Sequence, residues 1–561
     1  MTRSSWFRLA VLAAASSLAA CSGELSDART PTGSSSVVAS SDFSALYTAN
    51  TDQGTVSRLD RATNTVVEVE AGLEPVRMAR AGDRVFATLR GERALAVFRD
   101  TGSGLELLQR VELGAEPYGV VADEAGAFLY VANQLSGTVV QIDVATLVVT
   151  QEWPVAGQPR FLALHPAGKH LYVGSVLGGG LTDINIKTGD VTALALPPAT
   201  GVDPETFESV ELTGRITGDL AVSPDGTTLA VPAIYVNNVS PVGPVDPDAV
   251  ETSSDGYAGS DGTRRFNPAV VLVVTNQTGR LRTEYTDTLS LTGFGDGQTI
   301  SSYPASATFA PSGEQLVLTI EGSDAAFLMQ MPESIGTDRN QFGGGMGRST
   351  MEMEVGFGSS LGFANLTTIT TGSAPRGVAF VDDEIAFVHE GFDHAVAELP
   401  FAAANQMMGG GSDFGGRGMT TDEPMLEEFE DGLAAAAPVA VSVEVLAADL
   451  AEGRQLFFSA SDSRMALPGA GVSCATCHFD GRTDGLTWQF DAGPRQTLSL
   501  AGDVSSHAPV TWTDGVATVL DEVVLTSQGR MGGDGLSLTR AEKVAAYVDS
   551  TPLPDTENRG A

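Results

Sequence analysis

The chain has 561 residues, 42% of them hydrophobic, which is more than one ordinary core accommodates and implies several domains or one large repeat architecture. Its 70 acidic against 32 basic side chains give a net charge of −38, a field that repels phosphate backbones and excludes nucleic acid as a partner. Only 3 cysteines are present, Cys21, Cys474 and Cys477, which excludes a disulfide framework.

Arg3 and Arg8 precede a short apolar run, Leu9 to Ala20, too short to span a bilayer and followed by Leu18-Ala-Ala-Cys21. This segment resembles the lipobox of bacterial lipoproteins. The resemblance implies a signal peptide over residues 1–20, lipid on Cys21, and a chain anchored to a bacterial membrane on its periplasmic or cell-surface side. The Ser/Thr/Gly/Pro-rich stretch that follows, residues 21–41, is expected to be a flexible tether.

A repeat then begins. Pro75, Pro117 and Pro159 stand 42 residues apart, each opening an alternating apolar run, and LYVAN at 129–133 and LYVGS at 171–175 recur in step. A third strand, as in GTVVQID at 137–143, and a fourth complete each unit, giving the four strands of a propeller blade. Later openings at 217–226, 304–313 and 375–380, with an incomplete first unit at 46–60, bring the count to seven. That first unit lacks an inner strand, and Val439 to Val445 is expected to complete it and close the ring. The LYVAN…GTV…ID signature resembles seven-bladed YVTN-type propellers. The resemblance covers residues 42–446 and implies an all-β seven-bladed propeller without implying an activity.

Three insertions, 237–266, 332–360 and 404–436, are expected as long rim loops. Asp246, Asp248, Asp255 and Asp261 in the first are candidate calcium ligands, although no loop has the spacing of a calcium motif. His165, His170, His389 and His394 fall in or beside blade turns and are expected as loop residues.

From 447 onwards helical periodicity replaces strand periodicity, with helices expected over 447–459 and 539–549 of a small all-α domain, residues 447–561. Cys474-Ala-Thr-Cys477-His478 fits the C-x-x-C-H pattern of covalent haem attachment: two thiols for two vinyl groups, then an imidazole for the iron. A zinc site would need four ligands, and a thioredoxin-like pair would need a βαβ context. Gly453 and Phe457 on the first helix, with Val544 and Tyr547 on the last, resemble the cytochrome c helix crossing.

Candidates for the second iron ligand are Met531, His507 and Met465. The stretch from SCATCH to RMGGDGLS resembles the C-terminal haem domain of bacterial dihaem cytochrome c peroxidases. That resemblance implies Met531, in a glycine-flanked loop 53 residues after His478, as the ligand. Trp488, Arg495 and Trp512 are candidates for the haem edge, Arg495 pairing a propionate. The family has two attachment motifs and this chain has one, so the peroxide-reducing half does not carry over.

The expected function is electron transfer to a redox partner protein through one covalent haem c, with the propeller as a docking platform. Two alternatives stay open: a peroxidase- or oxidase-like haem enzyme, and a propeller surface-binding module with an accessory redox domain.

Overall fold

The computed structural model describes residues 32–202, 208–239, 265–291 without 277, 302–331, 366–404 and 433–554, the last without 468, 491–492, 508–509 and 512–515. Cys21, Trp512, the four candidate calcium ligands and most of the three insertions lie outside these residues. Among the described residues no helix is long and apolar enough to cross a membrane.

Among the described residues seven blade sheets follow one another along the chain, antiparallel except where Leu433–Ala434 joins the sheet of blade 6 in parallel. Blade 1 runs over residues 37–70, blade 2 over 75–112, blade 3 over 117–154 and blade 4 over 159–195. Blade 5 takes 199–290, blade 6 takes 304–370 and blade 7 takes 375–398. Inner strands such as Pro117–Ala122 are buried along their whole length, because neighbouring blades cover both faces, whereas the fourth strand of blade 3, Val148–Pro154, is mostly exposed.

The repeat signature has physical causes. Asp143 Oδ1 accepts the amide of Thr146 at 2.8 Å and so builds the polar turn between third and fourth strands. Asn50 Nδ2 donates to Ser57 Oγ at 2.8 Å across the hairpin after the second strand. The residue before each opening proline, Glu74, Glu116, Gln158, Tyr303 or Ala374, takes a left-handed φ between 53° and 63°. None is glycine, so the same strained turn is written five times.

Two expectations about closure are corrected. Blade 1 is not short of a strand: Val37–Ala39 is its inner strand, pairing Val38 with Tyr47, and it lies inside the segment expected to be tether. The chain from Thr32 runs antiparallel beside blade 4, with Ser34 N donating to Leu162 O at 3.0 Å, turns, and returns as that strand. Its serines are buried because they are paired, Ser34 Oγ to Asp219 Oδ1 at 2.7 Å and Ser36 Oγ with His389 Nδ1 at 2.9 Å. Val439–Ala440 instead forms the outer strand of blade 7, pairing Val439 with Val396. Just beyond it, Val441 O accepts Ser57 Oγ at 2.6 Å, which ties blade 7 to blade 1.

Two of the four histidines differ from the expectation: His165 and His394 lie at blade turns, whereas His170 and His389 lie within strands, and all four are buried with hydrogen-bond partners.

Among the described residues the C-terminal region carries four α-helices: α1 (Ala448–Phe458), α2 (Cys474–Cys477), α3 (Val519–Val524) and α4 (Leu538–Asp549). Helices α1 and α4 cross at Gly453, where a Cβ would lie 2.1 Å from Lys543 O. Only glycine permits that approach. Phe457 and Tyr547 pack beside the crossing with ring centroids 5.3 Å apart.

Candidate functional site

Helix α2 is a single turn that its ends specify. Ser473 caps it in a reciprocal box with Thr476, the Ser473 amide donating to Thr476 Oγ1 at 2.9 Å. Cys474 and Cys477 stand three apart and therefore share a face, and His478 N donates to Cys474 O at 2.9 Å as the turn ends.

Both thiols are unpaired. Burial pushes Cys474 up to about 12, and burial with the nearby Asp484 carboxylate pushes Cys477 well above the ordinary thiol range. Such thiols stay protonated at neutral pH, which argues against a thiolate nucleophile or redox pair. No group of three or more ligating side chains forms around them among the described residues, so a tetrahedral metal lacks its ligands.

His478 Nδ1 faces Arg482 O at 3.1 Å, the bond that keeps a proton on Nδ1 and the lone pair on Nε2. Burial lowers its pKa, against opposing pulls from the Arg482 and Leu498 carbonyls and the Asp484 carboxylate.

A π-helical turn, Leu525–Arg530, follows α3 and presents Met531, whose amide donates to Thr526 O at 2.8 Å. Gly532 takes φ +70°, and a Cβ on Gly533 would lie 2.5 Å from Arg464 O, so both glycines are required by the loop. Met531 and Met465 are fully buried and share one apolar cluster with Cys474, Cys477 and Trp488.

The other sequence candidates divide. Trp488 is buried, its Nε1 donating to Thr497 Oγ1 at 3.1 Å and its ring 5.3 Å from Phe266 of blade 5. Arg495 pairs with it across a two-stranded hairpin and donates to Pro494 O at 2.8 Å. His507 is exposed, with its Nδ1 turned to Ser506 Oγ, outside the cluster.

The sequence reading missed how the propeller meets this site. Asp480, two residues after His478, lies between Arg160 of blade 4 and Arg90 of blade 2. Burial alone would raise its carboxyl, but the guanidinium groups of Arg160, Arg90 and Arg482 outweigh that and hold it well below the usual range. Arg482 binds Glu116 through both nitrogens, and Arg215 of blade 5 donates to Thr476 O. Arg454 of α1 bridges Asp52 and Glu444 beside His394. That His–carboxylate trio could hold a metal by proximity alone, but the Arg454 cation already occupies it. A cavity of ≈60 Å³ lies beneath Phe479 and Asp480, lined by Arg77, Tyr118, Tyr303 and Arg376. Recurrent arginines after the repeat prolines, Arg77, Arg160 and Arg376, were the available signal.

Residues 39–153 match the family model described as Lactonase, 7-bladed beta-propeller, a span covering blades 1–3. Over these blades the chain is similar to lactonase-type propellers. Similar solved structures include Kuenenia stuttgartiensis hydrazine synthase, 18% identical, with a TM-score of 0.49 over 68% of this chain and 99% of that one. A putative 6-phosphogluconolactonase from Bacteroides fragilis is 15% identical over 54% of this chain and 80% of its own, with a TM-score of 0.36. Virginiamycin B lyase from Staphylococcus aureus is 11% identical over 64% and 91%, with a TM-score of 0.38. No curated protein matches the chain. These likenesses concern the fold, and the activities they name stay with those proteins.

Proposed function

We propose that the C-terminal region is a cytochrome c domain holding one haem c through Cys474 and Cys477, with His478 and Met531 as iron ligands, and that the chain transfers electrons to a partner protein. One observation carries the reading: two cysteines free of any disulfide, on one helical face, share a single apolar cluster with buried Met531, beside a histidine whose Nδ1 is turned to a backbone carbonyl. Haem bound there supplies one-electron redox chemistry, with a potential set by its ligands and burial. The chain's own part is to exclude water with Trp488, Phe457 and Val544, and to hold the imidazole through Arg482 O. Lipid on Cys21 would keep the protein at a membrane, on its periplasmic or cell-surface side.

Intact mass of protein matured in a periplasm tests the attachment: one haem above the bare chain is expected, and none or two overturns the proposal. Met531→Ala is expected to keep the covalent haem, abolish the far-red sulfur-to-iron band of the ferric protein and lower the potential. His507→Ala is expected to leave the spectrum unchanged. High-spin ferric iron in the wild type would instead favour the peroxidase- or oxidase-like reading.

A further inference from the structure

We infer that the propeller is a clamp that orients the His478 imidazole, with Arg160 as its principal positioning residue; the inference rests on the haem reading above. The bond from His478 Nδ1 to Arg482 O closes a short loop, residues 478–482. Its apex, Asp480, takes φ 51° and ψ 25°. Aspartate tolerates this left-handed conformation better than most residues, but the turn it makes is fixed in place by what its carboxylate binds. Arg160 and Arg90 hold it, Arg90 Nη1 lying 3.0 Å from the Asp480 carboxylate that Arg160 also binds. At the base of the loop, the forked Arg482–Glu116 pair fixes the residue whose carbonyl meets the imidazole. The grips on Asp480 and Arg482 come from blades 2 and 4 and from the turn that opens blade 3, and Arg160 and Glu116 are buried, so they are little screened by water.

An acceptor on the N–H of a ligating imidazole fixes the ring and raises its basicity. A better donor stabilises the oxidised metal and lowers the potential. Loosening the clamp shifts the Arg482 carbonyl and weakens that effect, so the potential rises. A bare field effect has the opposite sign at Arg160, because removing a cation stabilises the oxidised state and lowers the potential.

The full-length, periplasmically matured protein decides between them. Arg160→Gln is expected to retain the covalent haem by mass and to shift the one-electron reduction equilibrium about tenfold toward the reduced form, roughly 59 mV upward. Arg160→Lys keeps the charge but not the planar fork, so a smaller upward shift is expected where a field effect predicts none. This second variant carries the test if the first does not fold. A lowered potential in Arg160→Gln, or no shift in either variant, overturns the clamp while leaving the haem reading intact. Wild-type protein without covalent haem overturns that reading, and the clamp with it.

Discussion

Within the propeller, neighbouring blades enclose their own apolar clusters, as Phe86, Leu95 and Val97 of blade 2 do with Val120, Leu129 and Val131 of blade 3. The C-terminal region is built differently. Its apolar side chains form a cluster completed by Val176, Ile234, Phe266 and Tyr303 of the propeller, around α-helices that include a single-turn α2 and a six-residue α3. Short helices are unstable alone and depend on what packs against them. The propeller is thus self-sufficient, while the C-terminal region depends on two supports: the propeller surface and, under the proposed function, the group that its thiols hold.

Removing the second support should break the symmetry of stability between the two regions. Cys474→Ser combined with Cys477→Ser is expected to abolish covalent haem and to speed amide exchange in α1 and α4 by about a hundredfold, with the blade 3 strands unchanged. Equal acceleration in both regions would show one cooperative unit and defeat the comparison.

A smaller contrast comes from adding side-chain carbons to glycine in each region. Gly453→Val would drive its Cβ into Lys543 O, 2.1 Å away, and is expected to cost about 3 kcal/mol through the forced separation of α1 and α4. Gly168→Ala in a blade turn meets nothing within 4 Å, and its φ of +65° limits the cost to roughly 1–2 kcal/mol. Denaturant melts read through Trp488 fluorescence for the first, and through far-ultraviolet dichroism for the second, would compare them.

The same difference explains what the sequence disclosed. Pro75, Pro117 and Pro159 revealed the blades because each blade solves the same local problem with the same turn, and Gly453 revealed the crossing because close approach admits no other residue. Val37–Ala39 escaped because the serines before it have a linker's composition, and their burial depends on Asp219 and His389, which lie far along the chain. The clamp escaped for a related reason. Arg160 and Asp480 are 320 positions apart, and each alone has the appearance of an ordinary surface charge.

The last test asks whether the propeller's independence extends to acid. Burial, then the charges of Arg376 and Arg77, pushes His389 down to about 3 from an ordinary value of 6.5, so the folded blade keeps it neutral beside Ser36. The unfolded chain binds a proton there below about pH 6.5 while the folded chain does not, so stability is fully present above that pH and declines as pH falls. The slope approaches about 1.4 kcal/mol per pH unit for one proton. Asp324 acts in the opposite direction: burial raises it to about 6, so the folded chain takes up a proton between pH 6 and the ordinary 3.8. Asp324 is present in wild type and variant alike, so replacing His389 isolates the histidine's contribution from about pH 6.5 down to about 3. His389→Gln is therefore expected to flatten the loss of stability from about pH 6.5 downward, by up to about 1.4 kcal/mol per pH unit, measured by denaturant melts at closely spaced pH. An unchanged slope would mean that the buried imidazole is protonated in the fold, with its Nδ1 donating to Ser36 Oγ.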